Sequence, residues 1–191
     1  RKDGREASVV VELIDRFGPV RVCQISVCVA AAGLAAGTGA TLANSGSNEN
    51  ANAWQNVANI YGTGSASITA ATFDSPDISE ILVASGFGFS LVTGDVVTGI
   101  TVVINKRGYT STNSGKDYRV QLSTTTAFSG LVGDNKATTD VWPQTTLNTV
   151  SYGGSSATWN ASLTAAQVNS SEFAVFISAY ANVANADIEV D

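Results

Sequence analysis

With no histidine among its 191 residues, the groups whose spacing in this chain could build a site are chiefly carboxylates, aromatic rings and two thiols. That absence removes Ser-His-Asp and Cys-His triads, the usual zinc sites and the usual general base near neutral pH. Two acidic sets remain. Asp74, Asp77 and Glu80 sit close together in a turn-like stretch, and Asp187, Glu189 and Asp191 alternate at the end of the chain. Glycoside hydrolysis needs two carboxyls about 5 to 9.5 Å apart. The first set reads instead as turn and capping chemistry. The second reads as one solvated strand face, since period two puts all three on the same side. Calcium asks for six to eight oxygens, and neither set has the EF-hand spacing. No cofactor is expected, and the chain is not expected to be an enzyme.

Three tryptophans and several tyrosines could stack on sugars, whose C–H-rich faces lose water against a flat ring. Tyr109, Tyr152 and Trp159 are the candidates for such binding, with Tyr109, after Lys106-Arg107, the one expected to be exposed. The competing expectation is that Trp142 and Trp159 plug the ends of a β-sandwich whose core holds Phe87, Phe89, Phe173 and Phe176. Cys23 and Cys28 lie five apart, roughly 16 Å on an extended strand and on opposite faces. A disulfide needs Cα atoms within about 7 Å, so two free thiols are expected. Asn160-Ala-Ser and Asn169-Ser-Ser match the glycosylation sequon, a frequent chance match in a chain this rich in Ser and Asn.

Composition bounds the partners. Only 14% of residues are charged and the net charge is −6, against about a quarter charged in a typical soluble domain. Nucleic-acid binding is not expected, because neutralising phosphates needs clustered Lys and Arg. From Val22 onward five basic residues face twelve acidic ones, while the first 21 residues carry five basic and four acidic. The stretch from Ile25 to Ala43 is apolar, small and preceded by arginines, which resembles a signal-peptide core. Its three glycines and two threonines make it a poor membrane span, and an ordered arm or first strand is expected there.

The elements that would position these groups are short strands. Residues 1–52 read as an N-terminal arm followed by a Gly/Ala/Asn-rich linker, and residues 53–191 as one β-sandwich domain. Ile81 to Leu91 places Phe87, Phe89 and Leu91 on one face. Val96 to Asn105 places Ile100, Val102 and Ile104 on one face. Tyr118, Val120 and Leu122 share a strand face, with Arg119 and Gln121 turned out. Gly133-Asp134-Asn135 is a turn, and Leu163 to Val168 is one helical turn capped by Ser162. Phe173, Val175, Ile177 and Ala179 oppose Ala174, Phe176, Ser178 and Tyr180. Ile188 and Val190 open a final strand that a further segment could complete. Many short strands with turn signals about every 8 to 12 residues predict an all-β antiparallel sandwich of jelly-roll type.

The order of motifs then carries a resemblance. Trp54, SGFGFSL, GDVVTGITVVI, a strand after Asp117, VWP, VSYGG with Trp159 close behind, LTAAQVNSSEF and AVFISA follow one another. This resembles a jelly-roll-like domain of tailed-phage virion structural proteins, over about residues 53–191. The resemblance implies a surface-displayed virion subunit (capsid decoration, head fibre or tail fibre), located on the virion surface or extracellularly. Taken with the low-charge β surface and the arm of 52 residues, it leads to the expectation of a homo-oligomer, with a trimer as the expected form, in contact with other virion proteins. It supplies no catalytic residues. A carbohydrate- or receptor-binding module facing a host-surface glycan, and a pilin-like fibre subunit assembled by donor strands, are the alternatives.

Overall fold

In the computed structural model, residues 11–13, 21–23, 38–42, 52–61, 66–68, 77–108, 115–143, 146–181 and 188–190 are described. Alternation is clearest where the sequence is most apolar. In Ala174–Ala181 (β11), Val175, Ile177 and Ala179 point into the main core, while Ala174 and Phe176 point to the other side. Period two and β-branched or aromatic side chains account for this: both faces of the strand find apolar cover.

The preceding strands are Val11–Leu13 (β1), Arg21–Cys23 (β2), Thr38–Leu42 (β3), Ala66–Ile68 (β4), Asp77–Ile78 (β5), Ile81–Ser85 (β6), Ile100–Gly108 (β7), Lys116–Ser123 (β8), Leu131–Val132 (β9) and Asn148–Gly154 (β10). Ile188–Val190 is β12, and Ala165–Asn169 is a single helical turn, α1. β1 and β2 form an antiparallel pair. The others make two antiparallel sheets, one ordered β10-β7-β12-β4 and the other β3-β6-β11-β8-β9, with β5 also pairing β11. Leu82 and Ala84 of β6, Val120 and Leu122 of β8 and Val175 and Ile177 of β11 meet Ile100, Val102 and Ile104 of β7 in one core. The fold is therefore all-β and sandwich-like, as the alternation predicts.

Several elements differ from the sequence expectation. The strand starting at Ile81 stops at Ser85, because Gly86 and Gly88 take φ of 73° and 71°. Phe87 and Phe89 still reach the core, where they meet Phe173 at ring separations of 6.1 and 6.4 Å. Phe176 does not join them. It lies on the opposite face of β11 with Ile81 and Val83, edge-on to Phe128 at 5.7 Å. The cap of α1 is Thr164, not Ser162. Thr164 Oγ1 accepts from the Gln167 N–H, and Gln167 Oε1 accepts from the Thr164 N–H. The Gly/Ala-rich stretch read as linker supplies β3, which pairs with β6 along its whole length. Finally, β12 lies between β7 and β4 with Ile188 and Val190 buried, and it pairs with only Lys106 to Gly108 of β7.

Candidate functional site

The register of β8 against β11 turns one carboxylate into the core. Val120 and Leu122 lie opposite Ile177 and Val175, and Arg119 lies opposite Ser178. The next partner of β11, Ala179, faces Asp117, so Tyr118 is an extra residue on β8. This β-bulge flips the alternation. Asp117 takes the inward face that simple period two would have denied it, and Tyr118 is left 39% exposed. Asn135 fixes the bulge from outside. Its Oδ1 accepts from the Val120 N–H at 2.9 Å, and its Nδ2 donates to the Tyr118 carbonyl at 2.9 Å.

Four other side chains converge on Asp117. Lys106 continues the inward row of Ile100, Val102 and Ile104 on β7, and its Nζ lies 2.5 Å from Asp117 Oδ1. Trp142 Nε1 donates to the same oxygen at 2.9 Å. Oδ2 accepts from the Tyr152 hydroxyl at 2.8 Å and from both the N–H and the Oγ1 of Thr138 at 3.0 Å. Lys106 Nζ also contacts Tyr152 OH, and it stands 5.1 Å from the ring centroids of Trp142 and Tyr152. The group is sealed, with Lys106 and Asp117 side chains 4% and 1% exposed.

Burial pushes the Lys106 amine below its usual value, against the pull of Asp117 and Asp140. Burial on its own would raise Asp117. The Lys106 charge and the hydrogen bonds from Lys106, Thr138 and Tyr152 outweigh it and hold the carboxyl below the usual range. Burial, and then the Asp117 charge, drive the Tyr152 phenol far above its ordinary value. Each group around Asp117 is thus committed to it, with Lys106 and Tyr152 reaching it from the other sheet, the arrangement that makes a buried charge tolerable.

Trp159 forms a second fastening. It and Asn160 adopt φ of 57° and 55° at the corner of a tight turn closed by the Ala161 N–H on the Thr158 carbonyl at 2.8 Å. A left-handed tryptophan is an unusual backbone state. It is held because the indole Nε1 donates to the Ile100 carbonyl at 2.7 Å and the Trp159 carbonyl accepts from the Asp134 N–H at 2.6 Å. Gly153 makes room. A Cβ there would lie 2.2 Å from the Ile100 oxygen and 2.4 Å from the indole nitrogen. The Y-G-G and W of the sequence motif are therefore one packing unit. Asp134 is held below the usual carboxylate range by the hydrogen bond from Asn160 and then by that from Lys136.

The sugar-stacking candidates fall as follows. Tyr152 and Trp159 are 3% and 1% exposed, so neither offers a ring face to a glycan, and both are corrected to structural residues. Tyr109 lies outside the described residues, as do Asp74, Asp187, Asp191 and Cys28. Asp77 is buried and accepts from Asn52 Nδ2 and from the Ile78 N–H. Glu189 pairs with Arg107 at 2.7 Å. Asn169, in one of the sequons, spends its amide on the Leu91 backbone, accepting from the N–H and donating to the carbonyl at 2.8 Å each. Among the described residues no three His, Cys, Asp or Glu side chains cluster as metal ligands, and no helix is long and apolar enough to cross a membrane.

One open cleft, of about 470 Å³, lies between the 91–96 loop and α1, lined by Leu91, Val96, Leu163 and Ala166 with Asp95 at its side. Asp95 accepts from the Val92 N–H in a local turn, so this cleft holds no convergent reactive groups. Of the residues in the buried cluster, Lys106, Asp117 and Thr138 carried no functional expectation from the sequence. The available signal was parity, since a lysine in step with Ile100, Val102 and Ile104 needs a buried partner. Comparison of the chain with protein-family models, with curated proteins and with solved structures gives no match.

Proposed function

We propose that this chain is a structural subunit displayed on a virion surface (a capsid decoration, head-fibre or tail-fibre component) that acts through assembly and surface contact. The observation that carries the reading is where its polar and aromatic residues go. Trp54, Trp142 and Trp159 each donate their indole N–H inward, to Glu80 O, Asp117 Oδ1 and Ile100 O. Lys106, Asp117 and Tyr152 tie the two sheets together. The motifs whose order resembles the phage domain thus act as internal fasteners of a sandwich. What remains for the surface is a lightly charged shell rich in Ser, Thr and Asn, suited to contact over an area.

The test is the assembled particle. Density-gradient fractions of particles from the source should contain the chain in fixed stoichiometry, and the isolated full chain should sediment as a homo-oligomer at micromolar concentration. A chain that stays monomeric and remains in the particle-free fraction would overturn the proposal. No observation favours the carbohydrate reading over this one, since two of its three candidate rings are enclosed.

A further inference from the structure

We propose that Lys106 and Asp117 condense to an amide, so that β7 of one sheet and β8 of the other become covalently joined inside the core. The inference does not depend on where the chain is displayed. It rests on how the atoms around Asp117 divide between its two oxygens.

Oδ1 faces the nucleophile. Lys106 Nζ is 2.5 Å away. A C–O bond adds about 1.2 Å, so Nζ can be no farther than about 3.7 Å from the carboxyl carbon, close to the roughly 3 to 3.5 Å of a near-attack geometry. Oδ2 faces three donors that are not the nucleophile: Tyr152 OH at 2.8 Å, and the Thr138 N–H and Oγ1 at 3.0 Å each. An oxyanion is stabilised by donors about 2.7 to 3.1 Å from the place it will occupy, and these three are already aimed at the oxygen on which the charge would gather. The nucleophile thus sits at Oδ1, which also accepts from Trp142 Nε1 at 2.9 Å, while the donors on Oδ2 take no part in the attack.

The step balances without any further reagent. The ammonium of Lys106 passes one proton to Oδ1, giving a neutral amine beside a carboxylic acid. Burial lowers the amine's proton affinity and favours that exchange, while the hydrogen bonds that hold Asp117 below the usual carboxylate range oppose it. The Nζ lone pair attacks Cγ, and the negative charge gathers on Oδ2 beneath Tyr152 and Thr138. A second proton moves from Nζ to Oδ1, the Cγ–Oδ1 bond breaks and water leaves. The third proton stays on the amide nitrogen. Oδ2 becomes the amide carbonyl oxygen and keeps its donors. A fixed pair has a high effective concentration, and a site this dry opposes the reverse hydrolysis.

Intact-mass spectrometry of the denatured full chain tests this directly. The expected mass is that of the sequence less one water. A tryptic map should show no cleavage after Lys106, and a branched peptide joining the 106 and 117 segments. Lys106→Met, which keeps length and apolar character, should restore the full mass. Asp117→Asn should lose one ammonia in place of water. Tyr152→Phe, which removes one oxyanion donor, should lower the cross-linked fraction in freshly made protein. A folded wild-type chain at its full sequence mass would overturn the proposal. So would a water loss that persists in Lys106→Met, because it would then arise elsewhere.

Discussion

Two adjacent glycines on β10 provide an internal comparison. Alanine at Gly153 would put its Cβ 2.2 Å from the Ile100 carbonyl oxygen and 2.4 Å from Trp159 Nε1, at a backbone φ of 80°. Alanine at Gly154 would meet nothing within 4 Å. For Gly153→Ala the left-handed backbone costs about 1–2 kcal/mol. The displaced indole gives up its hydrogen bond and leaves a buried carbonyl unpaired, about 1–3 kcal/mol more. Part of the Trp159 ring also comes out of the core, so the total is on the order of 3–5 kcal/mol, at the severe end for a point substitution. Gly154→Ala should stay within about 0.5 kcal/mol of wild type. Urea unfolding followed by tryptophan fluorescence separates them. The Gly153→Ala midpoint should fall by more than about 1 M at unchanged slope, with Gly154→Ala superimposed on wild type. Equal midpoints for the two variants would refute the seating of Trp159 over Gly153.

Alkaline titration gives a second outcome. The Tyr152 phenol is raised, so the folded state keeps a proton that the unfolded state loses above pH about 10. Stability should therefore fall as the pH rises past that value, and Tyr152→Phe should remove that part of the slope. In ultraviolet difference titration the Tyr152 phenol should fail to ionise until the chain unfolds. Asn135→Ala should cost about 1–3 kcal/mol, since it strips partners from the Val120 N–H and the Tyr118 carbonyl, and should speed amide exchange at Val120. Asn169→Ala removes both hydrogen bonds to Leu91. It should cost a similar amount, with faster exchange at the Leu91 N–H and little change in β11.

The sheets were legible because their strands alternate cleanly. β11 separates Val175 and Ile177 from Ala174 and Phe176 as period two demands, and β7 does the same for Ile100, Val102 and Ile104. Lys106 was within reach of the same rule, two residues past Ile104. Asp117 was not, because counting back from Leu122 and Val120 puts it outside. Only the extra residue at Tyr118 turns it in, and a bulge leaves no periodic trace. The Thr164-Ala-Ala-Gln167 capping box is present in the sequence, but an apolar run counted from Leu163 puts the cap at Ser162. β3 was hidden by its composition, for Thr-Gly-Ala-Thr-Leu has the small residues of a linker, yet its backbone pairs with β6. Tyr152 and Trp159 read equally well as exposed platforms or as plugs. Long-range partners decide between those, Asp117 for one and the Ile100 carbonyl for the other.

The central claim is that this chain spends its aromatic and polar side chains on holding the sandwich together. Hydrogen exchange at the three tryptophan indoles tests it most directly, because each N–H has an internal acceptor at 2.7 to 2.9 Å. All three resonances should persist in heavy water for as long as the slowest amides of β7, β8 and β11. Exchange of the Trp142 or Trp159 indole within minutes, in protein that remains folded, would contradict the account.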